Sequence, residues 1–213
     1  KSAYSAYFSV ERKREIARLE LDFVETLSAP VRSLLDIGAG AGVFASEAAA
    51  RGWAVTALDP ALDPLRIEKS ERLEAFRGTL AVLRDDRKFG VVTLWDVIEH
   101  TSSPQEVLWE ATRHLEPGGW IVVETGNYKS AARALAGTTH WIYQLDHRWY
   151  FAPDSIRPLL ESVGFREFVL ADRVLRPKWN GNVAYEGPSR RKLLESVLGD
   201  PLRLAAHLGT FRR

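Results

Sequence analysis

Apolar positions along the chain switch between two rhythms. Over residues 10–27 they recur at three- and four-residue steps, at Ile16, Leu19, Phe23 and Leu27, with charges between them. That spacing predicts an amphipathic helix, stopped by Ser28-Ala29-Pro30. Residues 33–37 form a short apolar run of the length of a buried strand. Residues 43–51 are Ala-rich and helical, and Gly52 ends them. Residues 54–58 read as a second strand, and Asp63 or Pro64 opens a polar helical stretch that fades before Gly78. Residues 91–95 are a third strand. Residues 104–115 are a helix with Ser102 or Ser103 as N-cap and Pro104 in its first turn. The "EPGG" of residues 116–119 is a turn, and residues 120–124 are another strand.

This alternation of strand and helix predicts a parallel sheet with helices on both faces, an α/β Rossmann-like fold. From residue 126 to 152 the period disappears and aromatic, His and Arg residues crowd in. Helix returns over residues 153–163, Gly164 caps it, and residues 165–171 read as a strand. "RPKWNGNVAYEGP" (residues 176–188) is turn-rich, and residues 189–198 and 201–208 read as helices. There is no internal repeat and no domain linker, so one domain is expected. It would comprise an N-terminal helix or lid (1–30), a core (31–175) and a C-terminal helical extension (176–213).

Composition narrows the chemistry. The 213 residues carry 46% apolar and 27% charged side chains and a net charge of +1, which gives no global pull toward nucleic acid. No apolar run approaches the roughly 20 residues of a membrane span, and no signal peptide is legible, so a cytoplasmic protein is expected. Cysteine is absent, which excludes disulfides and thiolate metal sites, and no metal site is expected. Monomer and homodimer both remain open.

The segment "LLDIGAGAGVFASEAAARGWAVTALDP" (residues 34–60) is the first strand–helix–strand unit. Gly38, Gly40 and Gly42 lie between strand and helix, where glycine lets a ligand approach the backbone. Gly40, Gly42 and Ala45 fit the dinucleotide spacing, which keeps an NAD-dependent oxidoreductase in view. Asp36, at the first strand's end, argues the other way. A carboxylate repels a pyrophosphate but favours the cationic amino-acid head of S-adenosylmethionine. Asp59 ends the second strand, where a carboxylate can take both ribose hydroxyls of either cofactor.

"FGVVTLWDVIEHTSSPQEVLWEATRHLEPGGWIVVETGN" (residues 89–127) resembles the class I S-adenosylmethionine-dependent methyltransferases. The likeness is greatest to the branch with D-x-x-E-H after strand four and L-x-P-G-G before strand five, which includes ubiquinone-biosynthesis O-methyltransferases and many sugar, lipid and natural-product methyltransferases. The resemblance covers residues 33–165. It implies seven strands in order 3-2-1-4-5-7-6 with the last antiparallel. It also implies a cofactor bound as S-adenosylmethionine and released as S-adenosylhomocysteine. By the same likeness Asp36, Gly38, Ala39, Gly40 and Gly42 line the methionine end, Asp59 holds the ribose, and Pro60 lies near the adenine. Trp95, Asp96 and Val97 pass beneath the methionine, and Glu99 and His100 close the site floor. Thr79 and Leu80 stand where relatives place an Asp beside the adenine, which leaves that contact to backbone groups. "ETGN" (residues 124–127) departs from the T-P-N of relatives.

Methyl transfer needs the acceptor held in line, and a general base where the acceptor is a hydroxyl. "HWIYQLDHRWYF" (residues 140–151) offers two His, an Asp, an Arg and five aromatics. His147 matches the His that precedes the next helix in relatives and is the expected base or acceptor contact, with Asp146 or Glu99 nearby; Glu99 and His100 are the other candidate bases. His140, Trp141, Tyr143, Trp149 and Tyr150 are expected to wall a small-molecule acceptor pocket. The opposing view packs these rings on the core. Tyr4 or Tyr7 would reach the cofactor from the lid. The basic tail (189–213) would pack on its own domain or touch a membrane surface or partner. A binding module that has lost catalysis is the non-enzymatic alternative.

Overall fold

The computed structural model describes residues 9–172, 174–177, 183–186 and 207–212, with side chains through residue 169. The elements in chain order are α1 (Val10–Val24), β1 (Ser33–Ile37), α2 (Val43–Ala50), β2 (Ala54–Asp59), β3 (Leu73–Arg77), β4 (Phe89–Trp95), α3 (Pro104–Arg113), β5 (Leu115–Glu124), α4 (Ala131–Ala136) and α5 (Pro153–Ser162). Four strands follow: β6 (Glu167–Asp172), β7 (Val174–Pro177), β8 (Val183–Glu186) and β9 (His207–Arg212). Strands β3-β2-β1-β4-β5 form the parallel body of a Rossmann-like α/β sheet. At its edge β9 pairs antiparallel with both β5 and β6. β7 and β8 make a separate two-stranded antiparallel ribbon.

The sheet is covered on both faces. Leu34, Val55, Val91 and Val122 face a cluster with Leu21 and Val24 of α1 and Phe44 and Ala48 of α2. Leu35, Val92, Leu94 and Ile121 face a second cluster with Leu108 and Ala111 of α3, Leu160 of α5, Phe151 and Phe165. Two-sided burial is why these strands read as near-continuous apolar runs. Among the polar exceptions within them, Asp36 and Thr93 are buried partners in adjacent strands.

Several elements differ from the sequence pattern for physical reasons. The buried stripe of α1 is Ile16, Ala17, Glu20, Leu21, Phe23 and Val24, while Leu19 is exposed. The polar stretch after Pro64 is helical for a single 3-10 turn, Pro64–Arg66, and then becomes β3, whose backbone pairs with β2 over five residues. Tertiary pairing overrides its weak helical propensity. "EPGG" is not a free turn; it lies inside β5, where a register shift opposite residues 89–91 of β4 absorbs it. His207 and Leu208, read at the end of a helix, belong to β9. The expected helix at residues 189–198, most of that at 201–208, and the proposed lid tyrosines Tyr4 and Tyr7 lie outside the described residues.

Parallel register brings the C-terminal strand ends to one edge. Asp36 aligns with Ala57 and Thr93, and Trp95 aligns with Glu124. At the opposite end, Gly90 lets the chain before β1 approach β4. A Cβ there would fall 2.0 Å from the Val31 carbonyl oxygen, a backbone atom that cannot swing aside. Gly90→Ala is therefore expected to lower the melting temperature by several degrees or to prevent folding, and a thermal melt against the parent reads it directly. An unchanged melting temperature would contradict that close approach.

Candidate active site

The glycine loop is bound to its own sheet before any ligand arrives. The Gly38 and Ala39 amides both donate to the Leu58 carbonyl, at 2.8 and 2.9 Å. The Gly40 amide donates to Asp59 Oδ2 at 3.0 Å, and the Ala61 amide donates to Oδ1 at 2.6 Å. Asp59 thus ties the loop after β1 to the end of β2. Gly38 sits at φ +75° with Val97 lying where its Cβ would be, at 2.4 Å, so the glycine loop and the turn after β4 touch. Gly40 faces open space, with nothing within 4 Å of the place a Cβ would take.

Asp36 lies beneath this loop, 1% exposed. Its Oδ1 accepts from the Thr93 hydroxyl at 2.9 Å, and its Oδ2 is buried with no partner. Burial pushes its pKa up to about 8, against the Thr93 hydrogen bond and with help from the Glu20 and Asp59 carboxylates. Glu20 reaches this place from α1 and is itself buried. The sequence pattern hid it, because a Glu on the buried stripe of a helix resembles a solvated charge.

The other expected cofactor residues divide. Trp95 packs edge-on against Phe44 at 5.1 Å, and its Nε1 is buried without a partner. Asp96 has φ +50°, a left-handed conformation that Asp tolerates at a cost, and its amide donates to Glu124 O at 3.1 Å. Pro60 and Thr79 are exposed, Thr79 at the head of a 3-10 turn. Leu80 is buried in the core beside Leu58 and Leu83, so its side chain packs rather than faces a ligand.

On the acceptor side, the turn Ile98–His100 is clamped to the aromatic loop. The Glu99 carbonyl accepts from the amides of Arg148 and Trp149 at 2.8 and 3.2 Å, and Trp149 Nε1 donates to the Thr101 carbonyl at 3.0 Å. His100 Nδ1 lies 3.1 Å from the Asp146 carbonyl, and the His100 and His147 rings meet edge-to-face at 4.7 Å. Glu99 is 1% exposed, and its carboxylate oxygens are buried without a well-formed hydrogen bond. Burial raises its pKa to about 8, with Asp96 and Asp146 adding to the rise and its own backbone and Thr125 opposing it. His147 is pushed below the usual histidine value, first by burial and then by His100. Glu99, His100 and His147 therefore converge, as does Trp141, whose ring meets that of His147 at 6.2 Å.

Trp141 and Trp149 are both exposed beside this cluster. His140 reaches it only through Trp141, whose ring it meets at 5.4 Å; its Nδ1 accepts from the Ile142 amide at 3.3 Å, and burial followed by Arg133 lowers its pKa. Tyr143 and Tyr150 pack instead with Tyr128 and Arg133, which the sequence pattern did not single out. Arg133 lies 4.4 Å over the Tyr128 ring and donates to the Tyr143 hydroxyl at 3.3 Å. The six-residue α4 that carries Arg133 was the missing signal, since its Ala-rich turn is too short to show a period.

These residues suit a cationic, diol-bearing ligand. A buried carboxyl with one free oxygen under the loop, ionising as a cation arrives, and a second carboxylate at the rim favour an ammonium and a ribose over a phosphate. One consequence is measurable without substrate. Asp36 and Glu99 have folded-state pKa values above those of an unfolded carboxylate, so their stabilising effect is complete below about pH 4 and is lost as pH rises through about 8. The melting temperature of the ligand-free protein is expected to fall between pH 5 and pH 8.5, by a few degrees per kcal/mol for a chain of this size. Asp36→Asn should flatten that slope, as read by melts across the pH series. A parallel slope in parent and variant would contradict the burial of an ionisable Asp36.

Among the described residues no helix is long and apolar enough to cross a membrane. The chain matches the model of a methyltransferase domain over residues 8–168. It is 26% identical over 180 residues to a ubiquinone biosynthesis O-methyltransferase of Nitrosomonas europaea, covering 76% of this chain and 77% of that one. Its fold is similar to that of a SAM-dependent methyltransferase from Archaeoglobus fulgidus, with a TM-score of 0.65, 18% identity and 94% of each chain covered. It is also similar to Burkholderia thailandensis 1,6-didemethyltoxoflavin-N1-methyltransferase with bound S-adenosylhomocysteine, with a TM-score of 0.61, 17% identity, and 94% of this chain and 77% of that one covered. The domain match decides between the cofactors left open by the glycine spacing. The chain belongs to the methyltransferase-domain family and is an S-adenosylmethionine-dependent enzyme.

Proposed function

We propose that the chain methylates an oxygen of a small-molecule, sugar or lipid-linked acceptor. The observation that carries this is the convergence of Glu99, His100 and His147 one turn beyond β4, on the side where Val97 meets the glycine loop. When bound, the cofactor supplies a methyl group whose bond to sulfur breaks, leaving the electron pair on sulfur, as the bond to the acceptor oxygen forms. The chain's own groups do the rest. Asp36 faces the ammonium, and Gly38, Ala39, Gly40 and Gly42 admit the methionine end. Asp59 turns from the Gly40 and Ala61 amides to share its oxygens with the ribose. Pro60 and Thr79, with backbone near Leu80, border the adenine, and Trp95, Asp96 and Val97 floor the methionine.

His147 takes the acceptor's proton. Its lowered pKa supports that role, because a neutral imidazole is the form that accepts one. Trp141 and Trp149, with Tyr143, Tyr150 and His140 at the margin, hold the acceptor in line. We further propose a single domain, monomeric or homodimeric and cytoplasmic, without a nucleic-acid partner. Its sheet has the order 3-2-1-4-5-7-6, which the antiparallel seating of β9 between β5 and β6 supports.

His147→Ala should reduce turnover by about 10²–10⁴-fold, the usual worth of a general base, while S-adenosylmethionine binding by calorimetry stays intact. Activity like the parent's would refute the assignment. Asp59→Ala should weaken S-adenosylmethionine at least tenfold, since one charged hydrogen-bonding partner is worth about 1.5–3 kcal/mol. An unchanged dissociation constant would remove Asp59 from the ribose site.

A further inference from the structure

Glu99, His100 and His147 each present one potential ligand atom, and the three atoms lie within 4.8 Å of one another. Among the described residues no other group of three His or carboxylate side chains comes so close. Proximity alone says little, but Glu99 and His147 also bury polar atoms that a purely structural cluster would have paired. Glu99 is 1% exposed, and both of its carboxylate oxygens are buried without a well-formed hydrogen bond, the Thr125 side chain and the Glu99 backbone giving only weak ones. Burying polar atoms unsatisfied is costly, and a cation between them removes that cost.

The histidines are arranged in the same sense. A carbonyl oxygen only accepts hydrogen bonds, so the 3.1 Å contact of His100 Nδ1 with the Asp146 carbonyl places the proton on Nδ1. Nε2 of His100 is then left with its lone pair. A ring nitrogen tied to a carbonyl, with the other bare, is the outer-shell pattern of metal-binding histidine. His147 Nδ1 is buried with no hydrogen-bond partner. The edge-to-face packing of the two rings, at 4.7 Å, lets both point toward one position. Asp146, whose carboxylate lies 3.7 Å from His100 Nδ1, adds negative charge at the rim.

We infer that Glu99, His100 and His147 form a binding site for one divalent transition-metal ion of the zinc type. Two imidazoles and one carboxylate are a ligand set suited to such ions, whereas calcium and magnesium prefer oxygen alone. Three protein ligands leave a coordination position for an oxygen of the acceptor. An acceptor hydroxyl seated there loses its proton to solvent near neutral pH, its oxygen bonds to the methyl carbon, and the carbon–sulfur bond breaks with its electrons kept by sulfur. With the ion bound, His147 holds the ion and the proton leaves to solvent; without it, His147 takes the proton itself, so loss of turnover in His147→Ala is common to both and ion binding alone separates them. This use rests on the proposed O-methylation; ion binding does not.

The test is made on the full chain, stripped with a chelator and titrated with Zn²⁺ by calorimetry and with Co²⁺ by visible absorption. The expected result is saturable binding of one ion per chain, with the intense visible bands of low-coordinate Co²⁺. Glu99→Gln and His147→Ala should each weaken binding at least about tenfold. His100→Ala, at a half-exposed position, carries the same expectation should a buried variant fail to fold. Absence of binding, or equal affinity in parent and folded variants, overturns the site. S-adenosylmethionine binding measured on the same samples separates the two claims. A chain that binds the cofactor but no ion keeps the methyltransferase chemistry and loses the metal site. A chain that binds the ion at these residues but methylates no oxygen acceptor loses only the proposed reaction.

Discussion

The Glu99 carbonyl accepts hydrogen bonds from two backbone amides, those of Arg148 and Trp149, and the placement of the aromatic loop depends on this clamp. Residues 140–151 have no regular structure of their own to hold them against the sheet. Docking two successive amides on one carbonyl fixes the loop's height and direction, and the Trp149 indole bond to Thr101 fixes its rotation. His147 is thereby delivered to His100 and Glu99 from more than forty residues away in the chain. The clamp in turn requires that the turn after β4 be rigid. Left-handed Asp96, bonded to Glu124 of β5, provides that rigidity at the cost of some local strain.

The cofactor side has a parallel logic. Asp59 closes the glycine loop onto the end of β2, and Val97 closes the turn after β4 onto Gly38. The two halves of the site therefore meet through a van der Waals contact at a glycine. Beneath each half lies a carboxylate stripped of water, Asp36 on one side and Glu99 on the other, and both have pKa values raised to about 8. Such groups destabilise a fold when ionised and unpaired, and they become favourable when a cation arrives.

Much of this was legible in the sequence. The parallel body of the sheet followed from apolar runs alternating with helices, because two-sided burial leaves no polar face to blur the pattern. The glycine loop with Asp36 and Asp59 at the strand ends followed from spacing, while Glu99 and His147 were singled out through the family resemblance and the meeting of His100 with His147 was not foreseen. What escaped depends on tertiary contacts. β3 is made by pairing with β2 rather than by its own polar sequence, and "EPGG" is held in β5 by a bulge. Glu20 and Arg133 gave no sequence signal, since a buried Glu and a half-buried Arg look like surface charges until the neighbouring strand or ring is in place. The side chain of Leu80 packs into the core, so only backbone at that position is left for the adenine contact expected there.

The central claim is that the glycine loop and the Glu99–His147 cluster are two walls of one reaction space. A crystal structure with S-adenosylhomocysteine bound measures this directly. The ribose should sit on Asp59, and the sulfur should face His147 across a gap that admits one acceptor oxygen about 3–3.5 Å from the transferring methyl carbon. A sulfur pointing away from His147 and Glu99, or a ribose not held by Asp59, would contradict it.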